Sequence, residues 1–309
     1  ARRQALQCAT QAGFDEVRSG RLAIIVSEAA SNMYKHAGGG ELIINSVQRG
    51  SVCGLELFAL DTGRGMENVH NSMRDGYSTT GTAGTGLGAL QRQSDEFDIF
   101  SLPGKGTAVW ARIWSRDQEI SKPAAYSIDG VSIPVQGEKM CGDGWIYKTE
   151  NQGISILVSD GLGHGPQAAL ATQEAKRIFM QQMDRSPAQL LEDIHRGIRS
   201  TRGAAVAIAL LDEKNGRIDY CGVGNISGAI FGSKVQYMIS HPGTVGHTAT
   251  KFQSFSYVWP NDAIVLIYSD GLQTRLTPAG YAGLARRSTA LISGLLYRDF
   301  KRGRDDATV

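Results

Sequence analysis

Between residues 21 and 37 the apolar positions Leu22, Ile25, Val26 and Ala29 recur at helical spacing, and Gly38-Gly39-Gly40 stops the run. Strand-like runs follow over 41–47 and 54–60. Then come a glycine-rich stretch over 61–88, a helical pattern over 87–94, and a hairpin of 97–101 with 107–114 around Pro103-Gly104. Residues 1–115 are thus predicted to form one unit, and 116–123, broken by Lys122-Pro123, a linker. After residue 124 the pattern changes. Strand-like runs at 126–131, 144–147 and 154–158 precede two helical stretches, 166–183 and 187–201. Four more strand-like runs lie at 204–211, 217–223, 228–231 and 263–268, with Asn215-Gly216 as a hairpin signal between two of them. Strands, two helices and further strands predict an α+β domain over 124–309 in which helices cover sheets.

Composition narrows this picture. A chain of 309 residues suits two cores better than one. A net charge of +2 without any block of Lys or Arg argues against nucleic-acid binding. The longest apolar runs are strand-length, far below the roughly 20 residues of a membrane helix, and no signal peptide opens the chain. Cys8, Cys53, Cys141 and Cys221 form no CxxC pair and read as free thiols of a reducing compartment. A cytoplasmic protein is expected, bound to neither membrane nor nucleic acid. The chain begins at Ala1 rather than Met and stops within a strand-like run at Val309, so a fragment at both ends is expected too.

Glu28, Asn32 and His36 are spaced by four, so one helix presents them on nearly one face. A carboxylate and an amide so placed could polarise a hydroxyl and hold Mg²⁺, although a solvated polar stripe has the same spacing. Asp61-Thr62-Gly63-Arg64-Gly65 follows a strand. A carboxylate there can accept from an adenine amino group while glycines let backbone approach the base. Gly81, Gly84, Gly86 and Gly88 crowd a loop before a helix, where backbone N–H groups can cradle phosphates; a flexible loop would look alike. Gly104-Lys105-Gly106-Thr107 lacks the upstream glycine of a Walker A loop.

In order, Glu28-x₃-Asn32-x₃-His36, Asp61-x-Gly63-x-Gly65, Gly84-Thr85-Gly86-Leu87-Gly88 and Gly104-x-Gly106-Thr107 resemble the GHKL ATPases over essentially residues 1–115. Asp75-Gly76-Tyr77-Ser78-Thr79 resembles the RsbT-type serine/threonine kinases within that superfamily. The resemblance implies a Bergerat α/β sandwich that binds ATP or ADP with Mg²⁺. By it Glu28 is the general base, Asn32 the Mg²⁺ ligand and Asp61 the adenine contact. Gly63 and Gly65 support the nucleobase, Gly84, Gly86 and Gly88 the phosphates, and Thr107 the adenine side. No phospho-acceptor histidine helix accompanies these motifs, which argues against a sensor histidine kinase. His36 reads equally as a helix-end residue at the glycine turn.

The second half carries acids at turns and strand ends. They are Asp143 in Gly142-Asp143-Gly144, Asp160 in Ser159-Asp160-Gly161-Leu162-Gly163-His164-Gly165, Asp270 in Ser269-Asp270-Gly271, and Asp305 in Asp305-Asp306-Ala307-Thr308. A single Asp-Gly is commonly a plain turn. Two repeats of apolar strand, Ser, Asp and Gly push carboxylates out of a sheet end. Oxygen-only donors suit Mg²⁺ or Mn²⁺ over zinc, and two such ions about 3.5–4 Å apart suit phosphomonoester hydrolysis.

These motifs resemble the metal-dependent PPM phosphatases of the SpoIIE/RsbX branch, from about residue 126 to 309. The resemblance implies a β-sandwich flanked by helices that holds two Mn²⁺ or Mg²⁺. By it Asp160 is catalytic and bridges both ions, the Gly161 carbonyl binds one, Asp270 and Asp305 hold the second, and Asp143 acts through water. Asp305 is preferred to Asp306. His164 reads either as a proton donor or as a plain loop residue. No arginine adjoins Asp143 of the kind that larger relatives use to grip phosphate. Together the two resemblances imply a bifunctional regulator of bacterial stress or sigma-factor signalling. Its kinase and its phosphoserine/phosphothreonine phosphatase would act on STAS-domain partners, RsbS/RsbR-like or an anti-anti-sigma factor, with homodimerisation left open. Two alternatives stand beside it: a phosphatase with the first domain as nucleotide sensor, and a non-enzymatic anti-sigma-like clamp.

Overall fold

Asp15 caps the helix that the apolar period predicts. Its carboxylate accepts from Arg18 N at 2.7 Å, and Gly38 ends the helix in the left-handed region at φ +71°. The computed structural model describes residues 1–73, 86–117, 126–151, 153–260, 262–278 and 280–309. It opens with α1 (Arg2–Gln11) and this helix, α2 (Glu16–Ala37). There follow β1 (Glu41–Arg49), β2 (Val52–Leu60), α3 (Val69–Ser72), α4 (Gly86–Gln93), β3 (Glu96–Ser101) and β4 (Thr107–Trp114). The strands form an antiparallel sheet in the order β1-β2-β4-β3. Alternation sends Leu55, Leu57, Val109 and Ala111 into a core with Leu22, Ile25 and Val26 of α2. The intervening Phe58, Trp110 and Arg112 belong to the opposite face and are buried as well.

The remaining chain begins with β5 (Ser132–Ile133), β6 (Asp143–Glu150) and β7 (Gly153–Gly161), then α5 (Pro166–Gln181) and α6 (Pro187–Gly197). Next come β8 (Ala204–Asp212), β9 (Arg217–Val223), β10 (Ser227–Phe231), β11 (Val235–Met238), β12 (Ser240–His241), β13 (Phe255–Val258) and β14 (Ile264–Tyr268). The chain closes with α7 (Thr289–Phe300) and β15 (Ala307–Thr308). One sheet runs β12-β9-β8-β7-β6 with β13 also paired to β9; a second runs β11-β10-β14, and β15 pairs with β5. A capping box of Ser186 and Gln189 with Pro187 in the first turn starts α6. Ile178, Phe179, Leu190 and Ile194 of the two helices pack with Leu157, Val206 and Ile208 of the large sheet. Helices cover a sheet, as the sequence pattern predicts. The strand predicted over 126–131 pairs instead at Ser132–Ile133, where β15 supplies the partner. Among the described residues no helix is long and apolar enough to cross a membrane.

Packing divides the chain elsewhere than at residues 116–123. One unit comprises Ala1–Asp129 with Pro278–Arg298, the other Gly130–Thr277 with Asp299–Val309. The sequence pattern misses this because residues Ala290 to Tyr297 of α7 are all buried, and a helix apolar all round declares no partner. Within the first unit Ser288 N donates to Asp98 Oδ2 at 2.7 Å and Thr289 Oγ1 to Asp129 Oδ2 at 2.6 Å. Tyr297 OH donates to Glu41 Oε1 at 2.8 Å. A Cβ at Gly294 would stand 2.5 Å from Phe58 Cδ1. Gly294→Leu is therefore expected to overpack the sheet face and destabilise the first unit by about 1–3 kcal/mol. Calorimetric unfolding checks this; an unchanged transition would mean that the helix does not lie on the sheet.

Candidate functional site

In the first unit β2 ends at Asp61, which is locked from several sides. Asp61 Oδ1 accepts from Gly63 N at 2.9 Å and Thr107 N at 3.1 Å, and its own N donates to Thr107 O at 2.9 Å. Arg298 Nη1 donates to Asp61 O at 2.7 Å. Asp61 Oδ2 takes no hydrogen bond among the described residues. Thr107 Oγ1 and Ser101 Oγ share a bond of 2.9 Å, and Met66 N donates to the same Ser101 Oγ at 2.9 Å. Two glycines are required by close approach. A Cβ at Gly63 would meet Ala37 Cβ at 2.6 Å, and one at Gly65, where φ is +67°, would fall on Leu102 O.

Asp61, Gly65, Thr107, Asn32, His36 and Gly86 line one cavity of about 610 Å³, a volume within the usual range of small-molecule sites. At its helical wall, a Cβ on Gly86 would lie 3.0 Å from Asn32 Oδ1 and 3.1 Å from Glu28 Oε2. The first turn of α4 thus rests against both. Asn32 Nδ2 is buried and, among the described residues, without a partner, which fits an amide kept for a ligand or ion. Glu28 stands outside the lining, and Gly88 is buried within α4. Burial first and the Arg64 charge second lower the proton affinity of His36. Gly81, Gly84 and the stretch 75–79 lie outside the described residues.

In the second unit the register places Asp143 of β6 directly opposite Asp160 of β7. Like charges so paired are destabilising without a counter-charge. Asp143 is 5% exposed, and its Oδ2 is buried without a partner among the described residues. Desolvation first, then the neighbouring carboxylates Asp143, Asp270 and Asp305, raises the pKa of Asp160. Asp143 is raised chiefly by burial, with Asp306, Asp305 and Asp270 adding to it. Burial also raises Asp305, assisted by Asp270. This mutual perturbation marks a cluster of acids short of positive charge. Among the described residues no three ligand-type side chains converge tightly enough to clasp a metal as they stand. The donor set is all oxygen and the orphan Asp143 Oδ2 is buried, so the cluster fits hard divalent cations.

Neighbouring residues that carry no local motif complete this site. Asn225 Nδ2 donates to Asp270 Oδ2 at 2.6 Å, and Glu138 Oε1 bonds His164 Nδ1 at 2.8 Å. Asp306 accepts from Val135 N at 2.7 Å and Gly142 N at 2.6 Å. Both of its oxygens accept from backbone, whereas among the described residues Asp305 accepts one such bond, from Asp306 N to Oδ1 at 2.9 Å. A Cβ at Gly161 would fall on the Ala168 carbonyl and one at Gly271 on the Asp306 carbonyl, so both glycines follow from the approach of a second chain segment.

Residues 1–113 match the histidine kinase-like ATPase domain family, and residues 150–302 match the family of stage II sporulation protein E (SpoIIE). Over 116 residues the chain is 37% identical to the serine/threonine-protein kinase RsbT of Bacillus subtilis (strain 168), which spans 38% of this chain and 87% of that protein. Over 139 residues it is 22% identical to the phosphoserine phosphatase RsbX of the same organism, covering 44% of this chain and 70% of that one. A solved structure from the bacterial stressosome, described as a modular system adapted to control secondary messenger signaling, matches at a TM-score of 0.54 and 28% identity. It covers 58% of this chain and 94% of its own.

Proposed function

We propose that this chain, which belongs to the histidine kinase-like ATPase family through residues 1–113 and to the SpoIIE family through residues 150–302, is a switch enzyme of bacterial sigma-factor or stress regulation. Its second unit removes phosphate from serine or threonine of a STAS-domain partner, and its first unit transfers phosphate from ATP to such a partner. The observation that carries the reading is the cross-strand pair Asp143 and Asp160, with Asp270 and Asp305 in electrostatic reach. The names of the relatives support it: one is a serine/threonine kinase, the other a phosphoserine phosphatase.

In the phosphatase unit Asp160, the Gly161 carbonyl, Asp270 and Asp305 would hold two Mn²⁺ or Mg²⁺, with Asp143 acting through water. When bound, such ions neutralise phosphate charge and lower the pKa of water. Asn225 fixes Asp270, and Glu138 anchors His164, which we assign as proton donor to the departing serine oxygen. In the kinase unit Asp61 Oδ2 accepts from adenine, Asn32 would hold Mg²⁺, and Glu28 takes the proton of the attacking hydroxyl. Gly84, Gly86 and Gly88 border the phosphates.

The test is phosphate release from a phosphoserine STAS protein and from an aryl phosphate, with Mn²⁺ and with chelator. Release that needs Mn²⁺ is expected; none from either substrate would sink the phosphatase reading. In one alternative the first unit only senses nucleotide. That reading gains if ATP binds but wild type adds no phosphate to the partner, as followed by mass spectrometry.

A further inference from the structure

We infer that Arg202 is the side chain that grips the substrate phosphate at the carboxylate cluster of the second unit, an inference that rests on the phosphatase reading above. Arg202 sits in the loop between α6 and β8, remote in sequence from every acid of the site. The next residue, Gly203, has φ +78°, and its carbonyl accepts from Leu162 N at 3.0 Å. That bond ties the loop to the segment 161–165, which begins directly after Asp160. A Cβ built on Gly163 would lie 3.5 Å from Arg202 Nη1. The guanidinium therefore rests over the bare backbone of that segment, between Asp160 and His164 in the chain.

Two further observations support the assignment. Arg202 is exposed, and among the described residues it makes no hydrogen bond or ion pair. Arg18, Arg21, Arg112, Arg177, Arg196 and Arg217 all spend their guanidinium groups on carboxylates. An arginine that stays unpaired over the segment that follows Asp160 keeps its fork of donors for another anion. Lys176 cannot fill the role. It is half-buried on α5, pressed against Gly144 and near Cys141 and Asp143. A phosphomonoester dianion approaching Asp143, Asp160, Asp270 and Asp305 needs positive charge on its solvent side. A planar guanidinium supplies it with two parallel donors.

The experiment uses the full chain with Mn²⁺ and an aryl phosphate, comparing wild type, Arg202→Ala, Arg202→Lys and Arg304→Ala. Arg304 is the matched control: it too is exposed and unpaired among the described residues, and it precedes Asp305. For Arg202→Ala, KM and the inhibition constant of inorganic phosphate are expected to rise together by about 10–100-fold, with kcat changed less, as loss of a charge-assisted hydrogen-bonded pair implies. Arg202→Lys should recover part of the loss, and Arg304→Ala should match wild type. Mn²⁺ affinity by calorimetry should be the same in all four. Active wild type with unchanged KM and phosphate inhibition in Arg202→Ala overturns the assignment and leaves the phosphatase reading standing. So does a fall in Mn²⁺ affinity, which would make Arg202 a structural support, or a matching loss in Arg304→Ala. Wild type that releases no phosphate overturns both.

Discussion

Asp160→Asn is expected to lower metal-dependent phosphate release on the order of 10³-fold or more and, in chelator, to raise the melting temperature. On the proposed reading the loss follows from removing a carboxylate that would help hold the ions, whose stabilisation of transition-state charge amounts to several kcal/mol. The gain follows from the same electrostatics. Asp160 faces Asp143 across two strands, with Asp270 and Asp305 near. Burial and those neighbours raise its proton affinity above that in the unfolded chain. The cost to folding is thus absent below the unfolded carboxylate pKa and grows as pH rises toward the folded one. At neutral pH an amide of the same shape escapes that cost. Mn²⁺ should stabilise wild type and much less the variant, by mass action. Scanning calorimetry with and without Mn²⁺, beside a phosphate assay, measures both effects. An active variant, or one that melts lower than wild type in chelator, contradicts the argument.

Asp61→Asn is expected to cost at least about 30-fold in ATP affinity while leaving the fold of the first unit intact. The asparagine Oδ1 can still accept from Gly63 N and Thr107 N, the two bonds that lock this turn. Its other atom becomes an NH₂ donor where Asp61 Oδ2 is free to accept. Facing an adenine amino group, that sets donor against donor and leaves a buried polar group unpaired. Calorimetric titration with ATP gives the affinity, and thermal unfolding reports the fold. Affinity within threefold of wild type, at an unchanged melting temperature, would rule out adenine recognition by this carboxylate.

Much of both units was legible because local signals agreed with packing. The apolar period and the glycines after Ala37 give α2, and the strand-like runs over 54–60 and 107–114 give β2 and β4. Asp61, Gly65 and Thr107, each carried by a local motif, share a cavity wall with Asn32, while the pairing of Asp143 with Asp160 comes from strand register. The supporting residues were not legible. Asn225, Glu138 and Arg298 carry no motif of their own and reach their partners from other loops or helices.

The sequence by itself determined the two families of motif, the elements that carry them and the identity of the acids, because periodicity, caps and turn glycines are properties of neighbouring residues. The tertiary structure alone decided that α7 belongs with the first unit and that Arg298 secures Asp61. It also decided that both oxygens of Asp306 accept from the backbone of Val135 and Gly142, while Asp305 accepts from Asp306 N. The reason is physical. A helix buried on all sides and two adjacent aspartates look alike along the chain, and only the atoms that close around them make them different.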